Sequence, residues 1–164
     1  MADTEAGLPE IYVQPGESHL VHEPSLLRTV LGSCVGITFR AGRLGVGALC
    51  HPMLPRLPAG HLATIRGAAG CRYVDYAIRD LVRQFTALGV QPGETEVKLF
   101  GGADVLLSPV PATRPTVGAM NAETALRVLR EEGFEVMASS LGGTRGIRIQ
   151  FHTGTGVVLL RRLC

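Results

Sequence analysis

Several things are scarce in this chain of 164 residues, and each scarcity narrows the field. Charge of one sign is nearly absent as an excess: the net charge is +2, and no basic run exists beyond Arg161-Arg162. That is too little for a nucleic-acid footprint. Apolar runs are strand-sized, so no membrane span or membrane insertion is expected. The acidic, polar stretch Met1 to Glu10 lacks the basic and apolar parts of an export signal. The four cysteines, at 34, 50, 71 and 164, contain no CxxC pair and no regular spacing. Without an export signal a disulfide framework is not expected, so the thiols read as reduced and the compartment as cytoplasmic. His19, His22, His61 and His152 are scattered without metal-ligand spacing, so neither a metal nor another cofactor is expected. No internal repeat or second domain is evident.

What is present is enough for a packed core. Hydrophobic residues make up 46% of the chain and mean hydropathy is positive, which fits one globular domain over residues 10–164 behind a disordered leader at 1–9. Ile11–Val13, Ser18–Val21, Leu26–Leu31, Cys34–Phe39 and Leu44–His51 read as strands, with turns at Gln14-Pro15-Gly16-Glu17 and Arg40–Arg43. Val74, Ile78, Leu81, Val82, Phe85 and Leu88 recur at helical spacing, so a helix is expected over 73–88 with Gly89 just past its end. A strand over 96–100 follows, then a loop over 108–116 with three prolines. A second helix is expected over 122–132 with Asn121 as its cap and Glu123 in its first turn. Strands over 134–138, 148–151 and 157–160 close the chain. Strands dominate and the two helices do not alternate strictly with them. That predicts a layered α+β sandwich with mixed, largely antiparallel sheets rather than a doubly wound parallel fold.

The chemistry centres on Gly32-Ser33-Cys34-Val35 and on His51, seventeen residues after the cysteine. An unperturbed thiol is only slightly ionised near neutrality, so a cysteine nucleophile needs a base. His51 ends the next extended segment, where a hairpin would return it to Cys34. Two readings of Cys34 stand: nucleophile, or small core hydrophobe. Cys50 is a poor client for His51, because adjacent residues of a strand point to opposite faces. Cys71 lies just before a helix whose dipole could lower its pKa, but no base is placed for it and it reads as structural. Ser33 either takes part or only shapes the bend. The pair Gly101-Gly102 reads as a tight turn at the edge of a site, and Asp104 as its rim or a turn cap. Arg145 and Arg148 read as partner contacts or solvated surface charges.

Taken together these residues resemble the bacterial chemoreceptor glutamine deamidases of chemotaxis. The resemblance runs from Tyr12-Val13 and the Pro-Gly-Glu turn through Thr29-Val30-Leu31-Gly32-Ser33-Cys34-Val35 and His51 with Met53-Leu54-Pro55. It continues through Tyr73-Val74-Asp75-Tyr76-Ala77-Ile78, Phe100-Gly101-Gly102-Ala103, Val117-Gly118 with Asn121, and Gly142-Gly143. Pro52 departs from it, standing where a larger residue is expected. The resemblance implies an α/β sandwich and a Cys-His-Thr constellation in which Cys34 is nucleophile, His51 base and Thr29 the third member. Gly32, Ser33, Gly101 and Gly102 would shape the site or its oxyanion pocket. It implies an amidohydrolase that converts glutamines on a chemoreceptor cytoplasmic domain to glutamate. The alternative from another class is a binding module acting on a chemotaxis phosphatase of the CheC type, which would need neither Cys34 nor His51. A monomer is the default expectation.

Overall fold

The computed structural model describes residues 6–61, 64–65, 67–106 and 113–164. The leader reading at residues 1–5 and most of the proline loop at 107–112 lie outside the described residues. Among the described residues, nine strands form two sheets. One contains β1 (Glu10–Tyr12), β3 (Leu26–Leu31), β8 (Ile147–His152) and β9 (Val158–Arg162), in that spatial order. The other runs β2 (Ser18–Val21), β5 (Val46–Cys50), β4 (Val35–Ala41), β6 (Glu96–Gly101) and β7 (Val136–Leu141). All pairings are antiparallel except β1 with β3 and β6 with β7. The parallel β6–β7 step is bridged by α2 (Val117–Glu131), the kind of crossover a parallel pair requires. The mixed, mainly antiparallel sandwich with two main helices is therefore the fold that strand dominance predicted.

Strand alternation assigns the two cores. Val35, Ile37 and Phe39 of β4, with Val46, Ala48 and Cys50 of β5, pack under α1 (Val74–Ala87) and α2. Leu49 points the other way, joining Leu27, Leu31, Ile149 and Phe151 between the sheets. The order of layers is thus helices, five-stranded sheet, four-stranded sheet. Among the described residues no helix is long and apolar enough to cross a membrane.

Several boundaries differ from expectation, and three of them have a tertiary reason. The strand β4 continues through Arg40 to Ala41, because the Arg40 guanidinium donates to Thr153 O (2.9 Å) and Gly154 O (2.7 Å) and pairs with Glu96. The turn accordingly falls at residues 42–45, with Gly45 at φ +66°. Phe134 does not begin a strand. Its N–H caps α2 through Leu129 O at 2.9 Å and its ring packs edge-on against Phe39. The second helix starts at Val117, not Ala122; Thr116 is its cap, with Oγ1 accepting from Ala119 N at 3.2 Å. Asn121 is therefore inside the helix and Glu123 is past its first turn.

Candidate active site

β3 and β4 lie in different sheets, so the Gly32-Ser33-Cys34 link must cross from one layer to the other. That crossing places Cys34 at the mouth of the inter-sheet core, half-buried. Thr29 comes from β3 and is fully buried; His51 follows β5 and is 1% exposed. The β4–β5 register pairs Ile37 with Cys50, and one step further Val35 N–H donates to Pro52 O at 3.3 Å. Gly36 then stands opposite His51, and Cys34 is its diagonal neighbour on the same face, a spacing side chains can bridge. Cys50 faces the helices instead. Among the described residues no hydrogen bond joins the Cys34 thiol to the His51 ring; such contacts commonly tighten only with substrate.

The Gly16-Glu17 turn before β2 grips the His51 backbone. Its N–H donates to Glu17 O (2.9 Å) and its carbonyl accepts from Gly16 N (2.7 Å). Gly16 makes that turn at φ +83°. The side chain is fixed by Thr29. Thr29 Oγ1 donates to Val13 O at 2.7 Å, and lies 2.7 Å from His51 Nδ1. A hydroxyl has one proton, and a carbonyl can only accept, so the proton between Thr29 and His51 belongs to Nδ1. Nε2 is left with the free lone pair. Burial pushes the His51 pKa below the ordinary value, with the Val13 carbonyl opposing. Burial likewise raises the Cys34 thiol, against the pull of its own backbone N–H. Both shifts favour the uncharged forms, a neutral imidazole at His51 and a neutral thiol at Cys34.

The glycine pair supports the cysteine loop from behind. Gly102 N–H donates to Cys34 O (2.8 Å) and Ala103 N–H to Gly32 O (2.9 Å). Gly101 and Gly102 both have positive φ, at +98° and +64°. Asn121 Nδ2 donates to Ser33 O at 2.9 Å and Met53 O at 3.0 Å. Ser33, Cys34 and Asp104 line a cleft of about 820 Å³ whose wall is largely apolar, including Met53, Leu54 and Leu106. Leu106 is 84% exposed. Arg145 lies in a separate, smaller pocket beyond Gly101, and Arg148 is exposed on the outer sheet. Cys71 is buried and its thiol pKa is raised to about 11, by burial first and then by Asp80, with Arg83 opposing. All four cysteines are free thiols.

Sequence reasoning gave Asn121 a capping role and left Gly118 without one. The available signal was Asn121's place on the stripe of Gly118, Ala125 and Val128, where a polar side chain is out of character. Gly118 lets α2 press on the glycine pair: an added Cβ would come within 2.7 Å of Gly102 O and closer still to Ala103 O. Gly118→Ala gains helix propensity of about 1 kcal/mol, but backbone has no way to yield cheaply. The net expectation is destabilisation of about 1–2 kcal/mol, read as a Tm lowered by roughly 2–8 °C in calorimetry.

The comparisons with known proteins come down on one family. A family profile described as CheD chemotactic sensory transduction matches residues 53–162, a stretch that follows Thr29, Cys34 and His51. A probable chemoreceptor glutamine deamidase CheD 2 of Geobacter sulfurreducens is 42% identical, over 95% of this chain and 91% of that protein. A probable chemoreceptor glutamine deamidase CheD of Nitratidesulfovibrio vulgaris is 38% identical over 95% and 78%. One from Maridesulfovibrio salexigens is 34% identical over 99% and 97%. The crystal structure of the Bacillus licheniformis hypothetical protein YfiH shares the fold, with a TM-score of 0.51 at 12% identity, over 78% of this chain and 51% of that one.

Proposed function

Because this chain belongs to the CheD family, we propose that it hydrolyses glutamine side-chain amides of a chemoreceptor cytoplasmic domain, using Cys34, His51 and Thr29. The observation that carries the reading is the Thr29–His51 contact at 2.7 Å, which leaves Nε2 unprotonated on the face shared with Cys34. His51 Nε2 takes the Cys34 proton as Sγ bonds to the amide carbon. The carbonyl oxygen becomes an oxyanion, for which the Cys34 N–H is a donor. His51 returns the proton to the departing nitrogen, and ammonia leaves a thioester. Water then attacks, giving up a proton to His51, and Cys34 is expelled with glutamate as product. The sum is one amide and one water converted to one carboxylate and one ammonium.

The test uses the purified protein and a receptor cytoplasmic fragment, with ammonia release followed beside mass analysis of each glutamine. Ammonia and glutamate formed in equal amounts support the deamidase. Release without conversion, or no release from any cognate receptor, overturns it.

The apolar cleft suits a substrate whose target glutamine is flanked by apolar side chains, as on the buried face of a helix. An exposed leucine at its lip gains by being covered, by about 1.5–3 kcal/mol at most. Leu106→Ser is therefore expected to raise KM roughly tenfold and leave kcat within about twofold, since the contact is the same in ground and transition states. Steady-state kinetics on the same fragment check this.

A further inference from the structure

Asn121 is fully buried in α2, yet it is polar and lies on an apolar stripe. Its two donors are used on carbonyls of the two segments that carry the proposed chemistry, Ser33 before Cys34 and Met53 after His51. Its Oδ1 is buried with no hydrogen-bond partner among the described residues. An orphaned buried acceptor is a cost, so the two donated bonds must matter more than a quiet core would require.

The consequence follows from peptide planarity. Ser33 C=O and Cys34 N–H belong to one trans peptide unit and point in opposite directions. The carbonyls of Gly32, Ser33 and Cys34 are each held by a donor behind the loop: Ala103 N, Asn121 Nδ2 and Gly102 N. Among the described residues, the N–H groups of Ser33 and Cys34 donate to no other residue, the Cys34 N–H acting on its own thiol. A loop with its acceptors tied back and its donors free is preorganised to receive an anion.

We propose that Asn121 is a positioning residue: by holding Ser33 C=O against α2, it turns the Cys34 N–H towards the cleft as the oxyanion donor. This rests on the deamidase reading above. Asn121 is not among the residues lining the cleft, and among the described residues its hydrogen bonds run to Ser33 O and Met53 O, not to the thiol. Its hold on Met53 O ties the same helix to the chain leaving His51, so nucleophile and base keep one frame.

The test separates oxyanion stabilisation from nucleophilicity. Asn121→Ala removes both donors, and Asn121→Asp keeps the shape while setting oxygens against the two carbonyls. Each variant is assayed for kcat and KM on the receptor fragment and for alkylation of Cys34 by iodoacetamide, a displacement that builds no oxyanion. The expected result is kcat lowered about 10–100-fold with KM and the alkylation rate each within about threefold of wild type. Unchanged kcat overturns the proposal. So does loss of turnover and alkylation together, unfolding included, since a purely structural role would do that. A parallel reaction with Cys34→Ala distinguishes the two levels. If that variant converts glutamine, the deamidase reading falls; if it is silent while Asn121→Ala runs at wild-type speed, only the positioning role falls.

Discussion

Cys34→Ala is expected to abolish glutamine conversion, with kcat down by at least about 10³-fold, and His51→Ala to come close to it. Members of a nucleophile–base unit fail together, so the double variant should be no slower than Cys34→Ala alone. What survives is whatever the loop's N–H groups and the cleft do without a nucleophile. Stability should hardly follow activity in the cysteine variant, because Cys34 is only half-buried and is not hydrogen-bonded to His51. Single-turnover ammonia release beside thermal melts reads both. Because burial holds the thiol up and the imidazole down, Cys34 should react with iodoacetamide at pH 7 no faster than an ordinary thiol. A much faster reaction would mean a preformed thiolate–imidazolium pair and would sink the neutral-pair account. The same burial of His51 sets the acid limb of kcat/KM below the ordinary histidine value of about 6.5. For stability the sign runs likewise. The unfolded chain takes up the proton first, so this residue's cost is absent above about pH 6.5 and grows as pH falls from there towards the folded-state pKa.

Thr29→Val is expected to lower kcat by roughly 10²-fold with little change in KM, whereas Thr29→Ser keeps most of the activity. Valine fills the same space but offers no oxygen to Nδ1–H. The ring can then move its proton to Nε2, where the lone pair was needed, and wrong-tautomer losses in such units reach about 10⁴-fold. The effect should stop short of that, because the Val13 carbonyl also acts on the imidazole and favours a protonated ring nitrogen. Valine also removes the 2.7 Å bond that this carbonyl accepts from Thr29. A stability loss of about 1–2 kcal/mol should accompany the kinetic loss and show as a lower Tm. Serine restores the hydroxyl, and so should restore rate and tautomer together. Should serine be as slow as valine, the hydroxyl is not what matters and the orienting role fails.

Much of the chain could be read without coordinates because local rules and tertiary demands agree. The stripe from Val74 to Phe85 gives α1 to within a residue at each end, and the alternation in β3–β5 already separates His51 from Cys50. The hairpin return that brings residue 51 back beside residue 34 follows from strand lengths and the turn between them. Where sequence reading went astray, a distant partner had overruled a local preference. Arg40 belongs to a strand because of Thr153 and Gly154, more than a hundred positions away. Asn121 has the chemistry of a cap, but Thr116 was free to cap earlier, and Asn121 was taken inside to reach Ser33 and Met53.

By itself, then, the sequence determined the layered mixed-sheet sandwich, its core faces and the candidate pair Cys34 and His51, since periodicity and residue chemistry are local properties; Thr29 entered only through the family resemblance. Which atoms meet was decided only in three dimensions. The proton on Nδ1 is assigned by a carbonyl at Val13, the Cys34 loop is held from Gly102 and Asn121, and the cleft is walled in part by Leu106 and Val117, from segments distant along the chain. Hydrogen bonds are settled over a few ångströms whatever the separation along the chain, and strand alternation cannot see across from one sheet to the next.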